Sequence, residues 1–352
     1  VRLGVGAAVV DGTLVPGDVA VDDGVVIGIG VGTGGGQAIA APGLVDLQVN
    51  GCAGVDLMTA DPAGYARAGE ALLAGGVTAF QPTFVTAPEA DLVAALRAMP
   101  ATAGPVRIMG AHLEGPFLSA ARLGAHDPAG RRDPDLALAR RLLDAGAVIH
   151  VTLAPELPGA LELVDELVAR GVTVACGHSD ATAAEAHRAF ERGARTVTHL
   201  FNAMRTGTHH DPGLALAALA REDVAVQLIA DGHHVADDAV MVAWRAARGR
   251  LALVSDAVGA SLSGVPLGTE GGAARRPDGT LAGGTASLLD GVRRLHALGV
   301  ALPEALAAAS AVPARIARRR DLGRLDVGAR ADVVVLDDRL EVQRVLVAGT
   351  AA

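Results

Sequence analysis

A chain of 352 residues, 51% hydrophobic and 20% charged, with a mean hydropathy of +0.37, holds enough apolar surface for a large buried core and is not a disordered polymer. A net charge of −9 with one Trp and one Tyr argues against nucleic acid as the main partner, and no apolar run reaches the ~18 residues of a membrane span. All 30 Lys-plus-Arg residues are arginine, which excludes a P-loop lysine, a lysine Schiff base and a metal bridge built on carbamylated lysine.

Cys52 and Cys176 are too few for a disulfide framework. The apolar start at residues 1–5 runs into Asp11-Gly12 without a small-residue cleavage pattern, so a secretory leader is not expected. A reducing cytoplasm is the expected compartment.

Residues 1–42 read as β-hairpins, with strands expected at 6–10, 18–21 and 25–29 between Gly and Asp turns. The glycine run at 32–36 lacks a strand–helix context and reads as a flexible turn, not a phosphate loop. From Pro42 the pattern changes. Apolar strands are expected at 44–49, 77–81, 106–113, 148–153, 172–175, 195–198, 225–229 and 251–254. Between them lie helical runs at 64–73, 89–99, 135–144, 160–170, 182–191, 213–220 and 236–248, with two more at 288–298 and 303–317. Eight βα units predict an α/β fold, a (β/α)8 TIM-type barrel. Strands that are continuously apolar suit a parallel sheet buried on both faces. After residue 320 strands return at 332–336 and 341–347. The expected organisation is therefore a barrel over 43–320, with 1–42 and 321–352 meeting in one small β-sandwich.

In such a barrel the chemistry sits at the C-terminal ends of the strands. Gln48 and Asn50 end strand one, Glu114 strand three, and Asp256 strand eight. His178 follows strand five, His199 strand six, and Asp231 and His234 strand seven. Glu114, His178 and His199 form a mixed O/N set suited to one divalent ion, Zn²⁺ or Fe²⁺, with a position left for water. Asp256 is the expected general base and His234 the donor to a developing oxyanion. The reaction class is metal-assisted hydrolysis of an amide or similar acyl bond. His112 is expected to face away from Glu114 across its strand, and His150 and His187 are read as structural. Cys52 and Cys176 are read as buried free thiols.

Pro42-Gly43-Leu44-Val45-Asp46-Leu47-Gln48-Val49-Asn50-Gly51 resembles the first barrel strand of the amidohydrolase superfamily. Ala111-His112-Leu113-Glu114-Gly115-Pro116-Phe117, Gly177-His178-Ser179-Asp180-Ala181-Thr182 and Thr198-His199-Leu200-Phe201-Asn202-Ala203-Met204 are similar, in order, to motifs of its N-acetylglucosamine-6-phosphate deacetylase family. So are residues 229–235, Leu253-Val254-Ser255-Asp256-Ala257 and Gly328-Ala329-Arg330-Ala331-Asp332-Val333. The resemblance implies removal of acetate from an N-acetylated amino sugar 6-phosphate. It implies sugar contacts from Ala125, His126, Asn202, Ala203, His234, Leu281, Ala282 and Gly283, and a homodimer with a phosphate contact reaching across the interface. Gln48 and Asn50 stand where many superfamily members carry His-x-His. Amides are poor ligands for these ions, so one metal is expected, and both are counted with Asp231 among the substrate contacts. His210 stands where the family has a phosphate-binding arginine, with His209 and Arg205 close by as compensating groups. This departure keeps two alternatives open: a deacetylase of an unphosphorylated or differently configured amino sugar, and a catalytically silent sugar-phosphate binder.

Overall fold

The computed structural model describes residues 1–32 and 36–352. Most of the expected glycine turn, 33–35, lies outside the described residues.

Strands Leu44–Val49, Val77–Val85, Ala111–Glu114, Val148–Leu153, Thr173–Cys176, Thr196–Val197, Ala225–Leu228 and Leu251–Leu253 pair in parallel, each with its neighbour in chain order. We number them one to eight. The first and last are joined by the parallel bridge between Val49 and Ala257, and by the Ser255 N–H donating to the Asp46 carboxylate at 3.2 Å. The chain is a (β/α)8 barrel, with connecting helices where the apolar spacing predicts them. Local chemistry sets their starts. Asp61 caps Pro62–Ala74 ahead of a proline at the first turn, and Thr182 with Glu185 forms a reciprocal capping box for Ala183–Glu191.

Three elements depart from expectation. The strand expected over 106–113 is interrupted: Val106–Ile108 and Ala111–Glu114 both pair with strand two, and Gly110 at φ +131° makes the break. The helix expected over 303–317 is two, Leu302–Ala308 and Ala311–Ile316, separated at Ala309–Ser310. The second packs Val312 and Ala314 against Val45, Leu47, Ala79 and Ala252. Ile39–Pro42 is a strand, because it has a partner at the far end of the chain. It pairs with both Ala7–Val10 and Val333–Leu336 in a six-stranded sheet that continues through Val342–Val347. Strands Asp18–Asp22 and Val25–Val31 form the second layer, and Val5, Val19, Val26, Ala331 and Val333 fill the space between. Both ends of the chain thus build the small β-sandwich.

A polar layer crosses the barrel below the rim. Thr83, His112, Thr152 and Thr198 are linked side chain to side chain at 3.2, 2.7 and 2.7 Å. His112 stacks on His150 with ring centroids 4.3 Å apart. Burial, opposed in part by the Glu114 charge, pushes His112 down to about 4 from 6.5, and His150 lies well below its ordinary value for the same leading reason. Both rings are therefore neutral in the fold, while the unfolded chain binds a proton below pH 6.5. A depressed folded value contributes stability that is present above pH 6.5 and lost as pH falls through 4. Relative to His112→Gln, wild type is expected to lose roughly 3 kcal/mol more unfolding free energy between pH 7 and 4. Denaturant titrations across that range check this, and parallel curves contradict it.

Candidate metal centre and active site

Four strand ends deliver the site. Glu114 closes strand three, where Gly115 follows at φ +91°; a Cβ there would lie 2.3 Å from the Thr86 hydroxyl, so only glycine fits. His178, His199 and Asp256 sit just beyond strands five, six and eight, with φ of +47°, +27° and +48°. Left-handed backbone at three non-glycine residues costs about 1–3 kcal/mol each, which marks a region shaped for chemistry.

The geometry is that of a cation cradle. Glu114 Oε1 is 3.2 Å from His178 Nε2 and 2.8 Å from His199 Nε2, and the two nitrogens are 3.0 Å apart. A tetrahedral ion with bonds of ~2.0–2.1 Å spaces its ligands about 3.3 Å apart, so the donor set fits a divalent ion. His178 Nδ1 donates to the Arg122 carbonyl at 2.9 Å, which turns the Nε2 lone pair toward the cradle. All three side chains are buried. Burial raises Glu114, but the imidazoles of His126, His178 and His199 gathered around it outweigh that and hold the carboxyl well below its usual range. Burial, reinforced by the Glu114 charge, lifts Asp256 to about 7.

The amides of strand one face these carboxylates. A register shift between Asp46 and Val49 turns Gln48 inward, where its Nε2 donates to Glu114 Oε1 at 3.0 Å. Asn50 Nδ2 donates to Asp256 Oδ1 at 2.8 Å. Carboxylates only accept, which fixes both amides with nitrogen forward.

The cavity above the cradle measures about 240 Å³, a size that suits a monosaccharide better than a polymer. Asn50, Ala125, His126, Asn202, Ala203, His234, Asp256, Leu281, Ala282 and Gly283 line it with the three cradle residues. Val85, Gly124, Leu262 and Thr280 also line it and escaped the sequence reading, since none belongs to a polar motif. Gly283, at φ +146°, brings its hairpin against strand eight, where a Cβ would lie 2.7 Å from the Asp256 carbonyl.

Some expected site residues lie off this chain's own cavity wall, and the reading of His112 is corrected. Gln48 is fully buried behind Glu114 and does not line the cavity. Asp231 is not a wall residue either: it accepts from His234 Nδ1 at 2.7 Å and from the backbone N–H groups of His233 and His234. His210 is exposed beside His209, away from the cavity wall. Arg205 is committed to Asp211 at 2.7 Å and Asp180 at 3.3 Å. His112 shares the Glu114 face, because residues two apart on a strand point the same way. Cys52 and Cys176 do not line the cavity, and burial pushes the Cys52 thiol up to about 12.

Barrel and rim define the class: a (β/α)8-barrel hydrolase with a Glu114, His178 and His199 cluster that could hold a metal ion. Residues 39–352 match the Amidohydrolase family. The chain is 38% identical to N-acetylglucosamine-6-phosphate deacetylase of Mus musculus, covering 89% of this chain and 83% of that one. It is 36% identical to N-acetylgalactosamine-6-phosphate deacetylase of Escherichia coli O157:H7, over 88% and 87%. A solved N-acetyl-D-glucosamine-6-phosphate deacetylase from Mycobacterium smegmatis, an aspartate-to-alanine mutant in complex with N-acetyl-D-glucosamine-6-phosphate, has a TM-score of 0.93 and 34% identity, over 99% and 97%. The chain belongs to the amidohydrolase family.

The protonation pattern predicts a pH-dependent metal uptake. Burial lowers His199, yet its bond to Glu114 together with the Glu114 and Asp256 charges outweighs that and raises it from 6.5. His178, pushed down to about 4 chiefly by burial, is already neutral at pH 6. Binding an ion at pH 6 must therefore displace a proton from His199, and at pH 8.5 less so. Titration calorimetry of metal-stripped protein in buffers of different ionisation heat should show the greater proton release at pH 6. Equal release at both pH values contradicts the assignment.

Proposed function

We propose that this chain hydrolyses the acetamide of N-acetyl-D-glucosamine 6-phosphate to glucosamine 6-phosphate and acetate. The observation that carries the reading is the convergence of Glu114, His178 and His199 on one point, with Asp256 on the wall of the same cavity. The names and substrates of the relatives above point the same way. Glu114, His178 and His199 would hold a single divalent ion, Zn²⁺ or Fe²⁺, which when bound supplies a Lewis acid and lowers the pKa of water. The amide nitrogens of Gln48 and Asn50 donate to the carboxylates from the side where a second ion would need ligands, which supports one ion per chain.

The remaining roles fall to the chain's own groups. Asp256, with Oδ1 engaged by Asn50, has Oδ2 available to take a proton from the attacking water. As the water oxygen bonds to the acetyl carbon and the C–N bond breaks, Asp256 hands that proton to the departing amine nitrogen. His234, with Nδ1 held by Asp231, presents Nε2 to the carbonyl oxygen as charge builds there. Ala125, His126, Asn202, Ala203 and the segment 281–283 shape the walls around the sugar. The barrel over 43–320 carries this chemistry, with 1–42 and 321–352 as its supporting domain. Two free thiols, Cys52 and Cys176, suit a reducing cytoplasm, and a homodimer is the proposed assembly.

The test is acetate release from N-acetylglucosamine and N-acetylgalactosamine, each with and without the 6-phosphate, on protein of measured metal content. The 6-phosphorylated gluco substrate is expected to have the highest kcat/KM. Asp256→Asn is expected to keep its metal and lose ~10²–10⁴-fold in kcat. Preference for an unphosphorylated sugar, or full activity in the variant, contradicts the proposal.

A further inference from the structure

We infer that Glu156, in the turn that follows strand four, is a positioning residue for the metal ligand His178. The inference rests on the metal-centre reading above and deepens it. Glu156 is neither one of the three cradle residues nor part of the cavity wall. It is half-buried, and its two oxygens meet neutral donors rather than a guanidinium.

His178 leaves strand five at φ +47°, a backbone that a non-glycine residue keeps only where its surroundings hold it there. Glu156 supplies part of that hold. Its Oε2 accepts from the Ser179 hydroxyl at 2.8 Å and its Oε1 from the Asp180 N–H at 2.7 Å. The two residues that follow His178 are thus tied to one carboxylate, by charge-assisted bonds about twice as strong as neutral ones. The turn at 154–157 directs Glu156 to them: Pro155 presets the φ of its second position, and the Leu157 N–H closes it on the Ala154 carbonyl at 3.4 Å. A second route reaches the ring itself. The Asp180 carboxylate holds the Arg122 guanidinium at 2.7 Å, and the Arg122 carbonyl accepts from His178 Nδ1 at 2.9 Å. That bond sets which nitrogen of His178 faces the cradle. Glu156, Asp180, Arg122 and His178 therefore close a circuit, with Ser179 as its backbone link. Ser179 is fully buried and donates its own N–H to the Ala203 carbonyl at 3.1 Å, so the loop is gripped from both sides.

The experiment reads metal affinity apart from turnover. Metal-stripped wild type, Glu156→Gln and Glu156→Ala are titrated with Co²⁺ against a competing chelator, and the visible spectrum of the bound ion is recorded. Chemical denaturation of the stripped proteins measures stability alone. Glu156→Gln keeps the shape of the side chain and is the decisive variant. It is expected to weaken Co²⁺ binding about 10–100-fold and to shift the spectrum, because His178 is no longer held in line. With the metal saturating, kcat should fall while KM changes little, and Glu156→Ala should lose more affinity than Glu156→Gln. Unchanged affinity and spectrum in Glu156→Gln overturn the inference. So does a loss of stability in the stripped protein without a loss of affinity, the mark of a merely structural contact. If wild type binds Co²⁺ but releases no acetate, the function proposed above fails, while the titrations still decide the role of Glu156.

Discussion

The structure depends on a carboxylate that has been taken out of water. Glu114 is 3% exposed, and a buried charge of this kind costs several kcal/mol unless its surroundings answer it. Its neighbours do: Gln48 donates from strand one, His178 and His199 approach from strands five and six, and His126 lies 3.6 Å from its second oxygen. Imidazoles that are neutral supply dipoles, not charge. A divalent ion at the same point would satisfy the carboxylate and both Nε2 atoms together, and this need organises the rim.

Holding those groups in place draws on the rest of the fold. The left-handed backbones of His178, His199 and Asp256 are tolerable because the strands beneath them are anchored in a continuous Ala/Val/Leu core. The Thr83–His112–Thr152–Thr198 chain ties strands two, three, four and six directly under the cradle. The helix Ala311–Ile316 packs against strands one and eight, and the Asp46 carboxylate joins the same two strands. Rigidity in these layers limits how far the ligand atoms can drift, which is what a metal site with short bonds requires.

Much of this was legible in the sequence, and for physical reasons. Glu114, His178, His199 and Asp256 each follow an apolar strand and precede a turn, so barrel topology alone brings them to one rim. What stayed hidden depends on contacts that local pattern does not carry. Gln48 is aimed at Glu114 by a shift in strand register. Asp231 serves His234, and Arg205 is neutralised by Asp180 and Asp211, pairings set by loop packing. Strand Ile39–Pro42 exists because Val333–Leu336, nearly 300 positions later, pairs with it. His112 was misplaced by a different route: period two itself puts it on the Glu114 face.

The most direct test of the central claim is anomalous diffraction from crystals of the metal-loaded protein, recorded on both sides of the ion's absorption edge. The account predicts one peak per chain, ~2.0–2.2 Å from a Glu114 oxygen, His178 Nε2 and His199 Nε2, with none beside Gln48 and Asn50. An ion held without Glu114, or a second ion seated against the strand-one amides, would contradict it.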